Sequence, residues 1–391
     1  MGIVIERITR RDAILATIVS VLVPFSYNLT KVSLPVKMAS VGLGKGVIIL
    51  PMLIGNCFQV VIRPISGIYA EKYGHKKFFC TAPLLYSLSF ILISMSRNVV
   101  DIIFSTIILS MGIAMFWSAF LAFSSYIHPE RIALSIGHIL AFSYIGALMG
   151  TALSGYLYEH YGMFFVFLAA SIICILATFV SIFITSAQGK KYFEQSSAIA
   201  IIRRNMKDIL TNSNIIAMIP IVNMYAPILL LESGVSPTYV GLLLTSLPLM
   251  SAIMQYVGGF LYSHVVNHRH VINMMSLIFL SLFAYASAEK LIIIGSLCFI
   301  IYSLLSSFLF APQLSTAVDK SENMRAVGAS GFGAGIAMGR VIAASLSVIG
   351  GYVADTHIIN VSSPMFAMVL SSTTFGIITV ASRILGGAYE E

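Results

Sequence analysis

The chain has 391 residues, 58% of them hydrophobic and only 10% charged, with a net charge of +8. That balance excludes a soluble globular protein and fits a chain that crosses a bilayer many times. All four cysteines, Cys57, Cys80, Cys174 and Cys298, lie inside apolar runs, which excludes a disulfide framework and a thiolate metal site.

Twelve apolar runs are expected to be membrane helices, at 13–36, 46–70, 78–96, 99–126, 132–157, 163–186, 214–231, 239–262, 271–288, 291–316, 327–353 and 361–384. Each is about 18 to 28 residues long, enough at about 1.5 Å per residue to cross a hydrocarbon core of roughly 30 Å. Arg7, Arg10 and Arg11 precede the first run, as in a signal peptide, but the run is too long and lacks a small-residue cleavage pattern, so it reads as a retained span. With the N-terminus in the cytoplasm, inside segments hold sixteen Lys and Arg, and outside loops hold four, Lys37, Lys45, Arg97 and Lys290. This asymmetry predicts both termini inside and a multi-pass protein of the plasma membrane. The same reading absorbs the positive charge as a topological signal and leaves no case for nucleic-acid binding.

In the first span Tyr27, Asn28 and Lys31 share a helical face. In the second, Asn56, Gln59, Arg63 and Gly67 form one stripe, and Arg63 reads as structural because its side chain can reach toward the inner surface. Arg63 to Lys77 then joins the second run to the third through a charged turn. There Gly67 admits another backbone, Glu71 sits where the helix leaves lipid and Gly74 takes a positive φ, while His75, Lys76 and Lys77 meet a membrane surface.

This turn resembles the signature loop between the second and third helices of the major facilitator superfamily, with Glu71 where the family usually has aspartate. The resemblance implies twelve transmembrane helices in two pseudo-symmetric six-helix bundles, an all-α membrane protein. It further implies a cytoplasmic latch built from Gly67, Glu71, Lys72, Gly74, Lys76, Lys77 and the matching Arg131, with the first, fourth, seventh and tenth helices lining a central cavity. The run Phe25-Ser26-Tyr27-x-x-x-Lys31 is similar to the first helix of monocarboxylate transporters, where a lysine handles anion and proton; the charged pair those proteins carry in the eighth helix has no counterpart here.

In the fourth span Phe116, Trp117, Phe120 and Phe123 crowd together, available either to a ligand or to the core. The fifth carries His138, whose ordinary pKa of about 6.5 makes it a candidate for proton coupling. Its run Gly146-x-x-x-Gly150-Thr151-x-x-Ser154-Gly155 resembles the glycine-rich fifth helix of proton-coupled drug antiporters, with Thr151 in place of proline. Generic close packing of helices accounts for the same glycines.

Around residues 187–213 the apolar pattern stops and a basic linker separates two halves, 1–186 and 214–391. Shifting the second half back by about 192 to 196 positions aligns Gly67 with Gly259, Arg131 with Arg325, and Gly155, Tyr156 and Glu159 with Gly351, Tyr352 and Asp355, the register of a parallel repeat. The seventh span then offers Asn223, Tyr225 and Pro227, with Glu232 at its outer end as a second proton-coupling candidate, and the tenth offers Ser303, Ser306, Phe310 and Gln313. Arg340 stands near the middle of the eleventh, too far from either surface to escape the bilayer, so it must face the protein interior. A basic residue in this helix is also found in oxalate-type exchangers of the superfamily.

The candidate substrate-binding set is therefore Arg340, Lys31, Tyr27, Asn28, Asn223, Gln313 and Trp117. Buried cations without buried carboxylates point to a small organic anion carried by alternating access, coupled to protons or to exchange. The other reading is a proton-coupled exporter of hydrophobic or cationic compounds. An enzyme is not expected: the sequence has no phosphate-binding glycine loop and no nucleophile with a base at useful spacing, and it calls for no cofactor or metal. A monomer suffices, with the lipid bilayer and a small-molecule substrate as partners.

Overall fold

The computed structural model describes residues 8–125, 127, 132–185, 198–204, 218–260, 269–307, 325–356 and 362–387. Among these every regular element is helical: α1 (Arg10–Leu29), α2 (Ser33–Ser40), α3 (Leu50–Tyr73), α4 (Lys76–Met95), α5 (Val99–Ser125), α6 (Ile132–Ile182), α7 (Ile219–Glu232), α8 (Pro237–Leu244), α9 (Ser246–Phe260), α10 (Arg269–Ala288), α11 (Ile292–Ser307), α12 (Arg325–Asp355) and α13 (Ser363–Gly387). A single 3-10 turn, Lys45–Val47, precedes α3.

The described parts of the twelve expected runs fall on helices, but not one to one. The fifth and sixth run together in α6, where Gly162 (φ 78°, ψ 169°) reverses the chain between two spans. The first and eighth are each broken in two, and proline explains both breaks. A proline ring collides with the carbonyl four residues earlier and offers no N–H to it. Pro35 therefore interrupts the first span at Lys31, between α1 and α2. Pro248 interrupts the eighth at Leu244, where α8 ends. The sequence reading of Lys31 as part of one continuous helical face with Tyr27 and Asn28 is corrected accordingly: Lys31 stands in the turn between two helices.

Large apolar side chains cover the outside, including Phe104, Phe164, Phe179 and Ile293, each at least 59% exposed, so this surface is solvated by lipid rather than water. Eight described helices are long and apolar enough to cross a membrane, with α7 and α11 as shorter apolar helices. Inside, α1 packs along α6, and α4 along α5 and α6. In the second half α10 packs on α11 and α13, and α12 on α13. The halves meet where α3 lies along α12 and where α6 lies along α8 and α9. At the end bearing the N-terminus, Thr9 caps α1 through the Asp12 amide, and the Asp12 carboxylate accepts both the amide and the hydroxyl of Thr185.

At that same end Gly74 takes φ 88° and ends α3, as the sequence predicts for the turn. Glu71 is buried, while Lys72 and Lys77 are exposed and flank the Tyr73 ring at 5.2 and 6.0 Å. His75 does not meet a membrane surface with its lysine neighbours. It is 4% exposed, edge-on to Phe123 at 6.4 Å, and burial lowers its pKa to about 4, so the ring is neutral at physiological pH. Arg131 lies outside the described residues.

Candidate functional site

Between the two halves is a cavity of about 230 Å³, walled by α1, α3, α4, α5, α6, α7, α9, α11 and α12. Tyr27, Asn28, Lys31, Trp117, Asn223 and Arg340 all line it. Gln313 lies outside the described residues. Pro24, Pro220 and Pro248 also line the cavity.

Three cations face the cavity, and no Asp or Glu does among the described residues. Each cation is held differently. Lys31 Nζ donates to Asn223 Oδ1 at 2.6 Å, joining the α1–α2 break to α7 across the interface. Arg63, 6% exposed, donates through Nε and Nη2 to Gln59 Oε1 at 3.2 and 3.1 Å, and Gln59 Nε2 donates in turn to Asn56 Oδ1 at 3.3 Å. Its guanidinium lies against Gly333 of α12, where a Cβ would overlap Nη1. The polar stripe predicted on the second span is thus a hydrogen-bonded chain that delivers Arg63 to the cavity, a position that the structural reading of this residue did not include.

Arg340 differs from both. Its Nε is buried and makes no hydrogen bond among the described residues. A cation at mid-bilayer costs about 2.5 to 3.5 kcal/mol on insertion scales, and a buried donor without an acceptor costs a further 1 to 3 kcal/mol or so. An anionic ligand would offset both.

The remaining wall is aromatic and apolar. Tyr27 and Tyr86 meet edge to face at 6.3 Å, and Trp117 and Phe332 add two more rings to the lining. Of the fourth-span aromatics only Trp117 reaches the cavity; Phe116, Phe120 and Phe123 are buried in the core, with Phe116 stacked on Phe120 at 4.9 Å and Phe123 edge-on to Phe79 at 5.2 Å. Tyr86 escapes sequence reasoning because the third span is not expected to line the site, and one tyrosine in an aliphatic run carries no periodic signal. The two proton-coupling candidates are placed elsewhere. His138 is exposed, its ring 5.0 Å from Phe142, and Glu232 pairs with Lys45 at 2.5 Å at the end remote from the N-terminus.

The sequence model of the Major Facilitator Superfamily matches residues 16–344. Among solved structures, a mutant of the nucleoside transporter NupG superposes with a TM-score of 0.72 at 12% identity, covering 95% of this chain and 99% of that one. The human organic anion transporter MFSD10 (TETRAN) gives 0.65 at 14% identity over 95% and 99%. A mutant of the E. coli fucose:proton symporter FucP gives 0.62 at 16% identity over 95% and 98%. No curated protein sequence matches.

Proposed function

The chain belongs to the Major Facilitator Superfamily, and from that premise we propose that it is a secondary transporter of a small organic anion with an apolar, ring-sized body. The observation that carries the reading is Arg340: a mid-membrane cation whose Nε has no acceptor, in a cavity with two further cations and no carboxylate among its described residues. Tyr27, Tyr86, Trp117 and Phe332 favour an apolar body on the ligand, since rings gain from stacking and edge contacts. The names of the structural neighbours span a nucleoside, a sugar with a proton and organic anions, so they support transport without choosing the solute.

Two halves, 1–186 and 214–391, rock about the cavity in this proposal, joined by the linker 187–213, with both termini cytoplasmic in the plasma membrane and the monomer as the working unit. Exchange is the energy source that the site favours. With neither carboxylate nor histidine among the described lining residues, the empty cavity carries uncompensated positive charge, whereas an anion neutralises it in either orientation. The cationic-compound exporter finds no acid among the described lining residues to attract its cargo.

The test is thermal stability of the purified protein with benzoate, acetate or tetraphenylphosphonium. Benzoate is expected to raise Tm, more than acetate does, because a ligand of the folded state stabilises by RT ln(1 + [L]/Kd). Arg340→Ala removes a charge-assisted hydrogen bond of about 1.5 to 3 kcal/mol, so apparent benzoate affinity should fall about ten- to a hundredfold. A shift with the lipophilic cation alone, or one untouched by Arg340→Ala, would overturn the anion reading.

A further inference from the structure

At the face opposite the N-terminus, which is the outer face in the orientation proposed above, two carboxylates reach across the interface. Glu159 of α6 accepts at Oε2 from the backbone N–H and the hydroxyl of Thr238, at 3.0 and 2.6 Å, in the first turn of α8. Asp355 of α12 accepts at Oδ2 from the backbone N–H of Gly46 at 3.1 Å, in the 3-10 turn that leads into α3. Its other oxygen accepts from Ser363 Oγ, which fixes the carboxylate in place.

The repeat register relates these contacts. Thr238 stands 192 positions after Gly46, and Asp355 stands 196 after Glu159. Each carboxylate also follows a glycine by four residues, one helical turn: Gly155 touches the Pro237 carbonyl and Gly351 the Gly46 carbonyl, so closely that a Cβ at either would overlap backbone. Nearer the centre, Lys31 and Asn223, themselves 192 apart, bond to each other. The same interface thus occurs twice, once on each side of an approximate twofold axis.

We propose that Glu159 and Asp355 are matched clasps that hold this face closed, and that both must let go before the cavity opens there. The physical basis is backbone N–H groups that lack an acceptor in their own segment, in the first turn of α8 for Glu159 and in the three-residue 3-10 turn before α3 for Asp355. An ionised carboxylate from the opposite half satisfies one of them while the backbones touch, and loses it when the halves part. Such a contact is strong enough to bias an equilibrium and weak enough to release, as a reversible closure requires. Lys45 with Glu232, and the Tyr225 hydroxyl donating to the Gly46 carbonyl, support the Asp355 clasp. The inference is independent of which solute the cavity takes.

Spin labels at Arg97→Cys and Glu289→Cys test it. Both positions are exposed turn residues of this face, one in each half, 192 apart. The full chain, with Cys57→Ser and Cys80→Ser, is placed in lipid nanodiscs and the label-to-label distance distribution is measured. The parent should be dominated by one short population. Glu159→Gln together with Asp355→Asn should raise a longer population severalfold, each single change should raise it less, and Glu159→Asp, which keeps the charge, should restore much of the short one. An unchanged distribution in the double variant, recovered monodisperse, overturns the proposal. If that variant fails to fold, Gly155→Ala and Gly351→Ala wedge the same contacts apart and should lengthen the distance in the same sense; an unchanged distance there overturns it equally.

Discussion

Arg340, Lys31 and Arg63 carry the same charge into the same cavity, yet their hydrogen bonds assign them different work. Arg63 donates through Nε and Nη2 to Gln59 within its own helix, and Lys31 spans the two halves through Asn223. Of these three cations, Arg340 alone has a buried nitrogen without an acceptor among the described residues. These roles are half visible in the sequence. A cation at the middle of an apolar run must face inward, but which cation has a partner depends on residues hundreds of positions away. His75 is hidden for the same reason, since its lysine neighbours suggest an exposed turn and only the packing of Phe123 shows otherwise. Its burial has a pH signature. The unfolded chain binds a proton near pH 6.5 and the folded one only near 4, so stability is full above pH 6.5 and is lost as pH falls toward 4, by roughly 3 kcal/mol. Between pH 7 and 5, Tm of the parent should therefore fall more than Tm of a His75→Phe variant. Parallel pH profiles would rule out a buried neutral imidazole at this position.

At the scale of elements, the apolar runs are readable because lipid leaves little choice: a span needs about 20 apolar residues with every backbone group satisfied internally. The breaks inside them are also readable in principle, four residues before Pro35 and before Pro248, but length and hydropathy alone join the pieces. The break before Pro35 matters because it places Lys31 in a turn whose last bonds tighten, Thr30 N–H to the Tyr27 carbonyl and Lys31 N–H to the Asn28 carbonyl. Pro35→Ala lets α1 and α2 fuse into one helix and turns Lys31 away from Asn223. The variant should fold with a Tm close to that of the parent, since proline is tolerated in the first turn of a helix, where Pro35 lies. Its benzoate affinity should nonetheless fall. Unaltered affinity would mean that the break does not set the position of Lys31.

For the whole molecule, the repeat is the most informative feature of the sequence, because an offset of 192 to 196 positions relates two contacts that recur across the interface, Glu159 with Thr238 and Asp355 with Gly46. Glu159 and Asp355 are visible there only as one another's counterparts; that each binds a backbone N–H of the other half, at the start of α8 and in the 3-10 turn before α3, is a fact of assembly. Hydrogen bonds from Thr238 hold the Glu159 carboxyl below the usual glutamate range, so this contact is intact at neutral pH and is lost only in acid, as pH falls through that lowered value. Proton uptake at neutral pH thus has no foothold in this contact, which agrees with a cavity that exchanges one anion for another.

Counterflow in proteoliposomes tests that account most directly. Vesicles holding the purified protein are preloaded with unlabelled benzoate, diluted into a trace of labelled benzoate, and compared with empty vesicles and with Arg340→Ala. The account predicts transient accumulation of label in the preloaded vesicles only, without a pH gradient, and its loss in the variant. Accumulation that needs a proton gradient, or that survives Arg340→Ala, would contradict it.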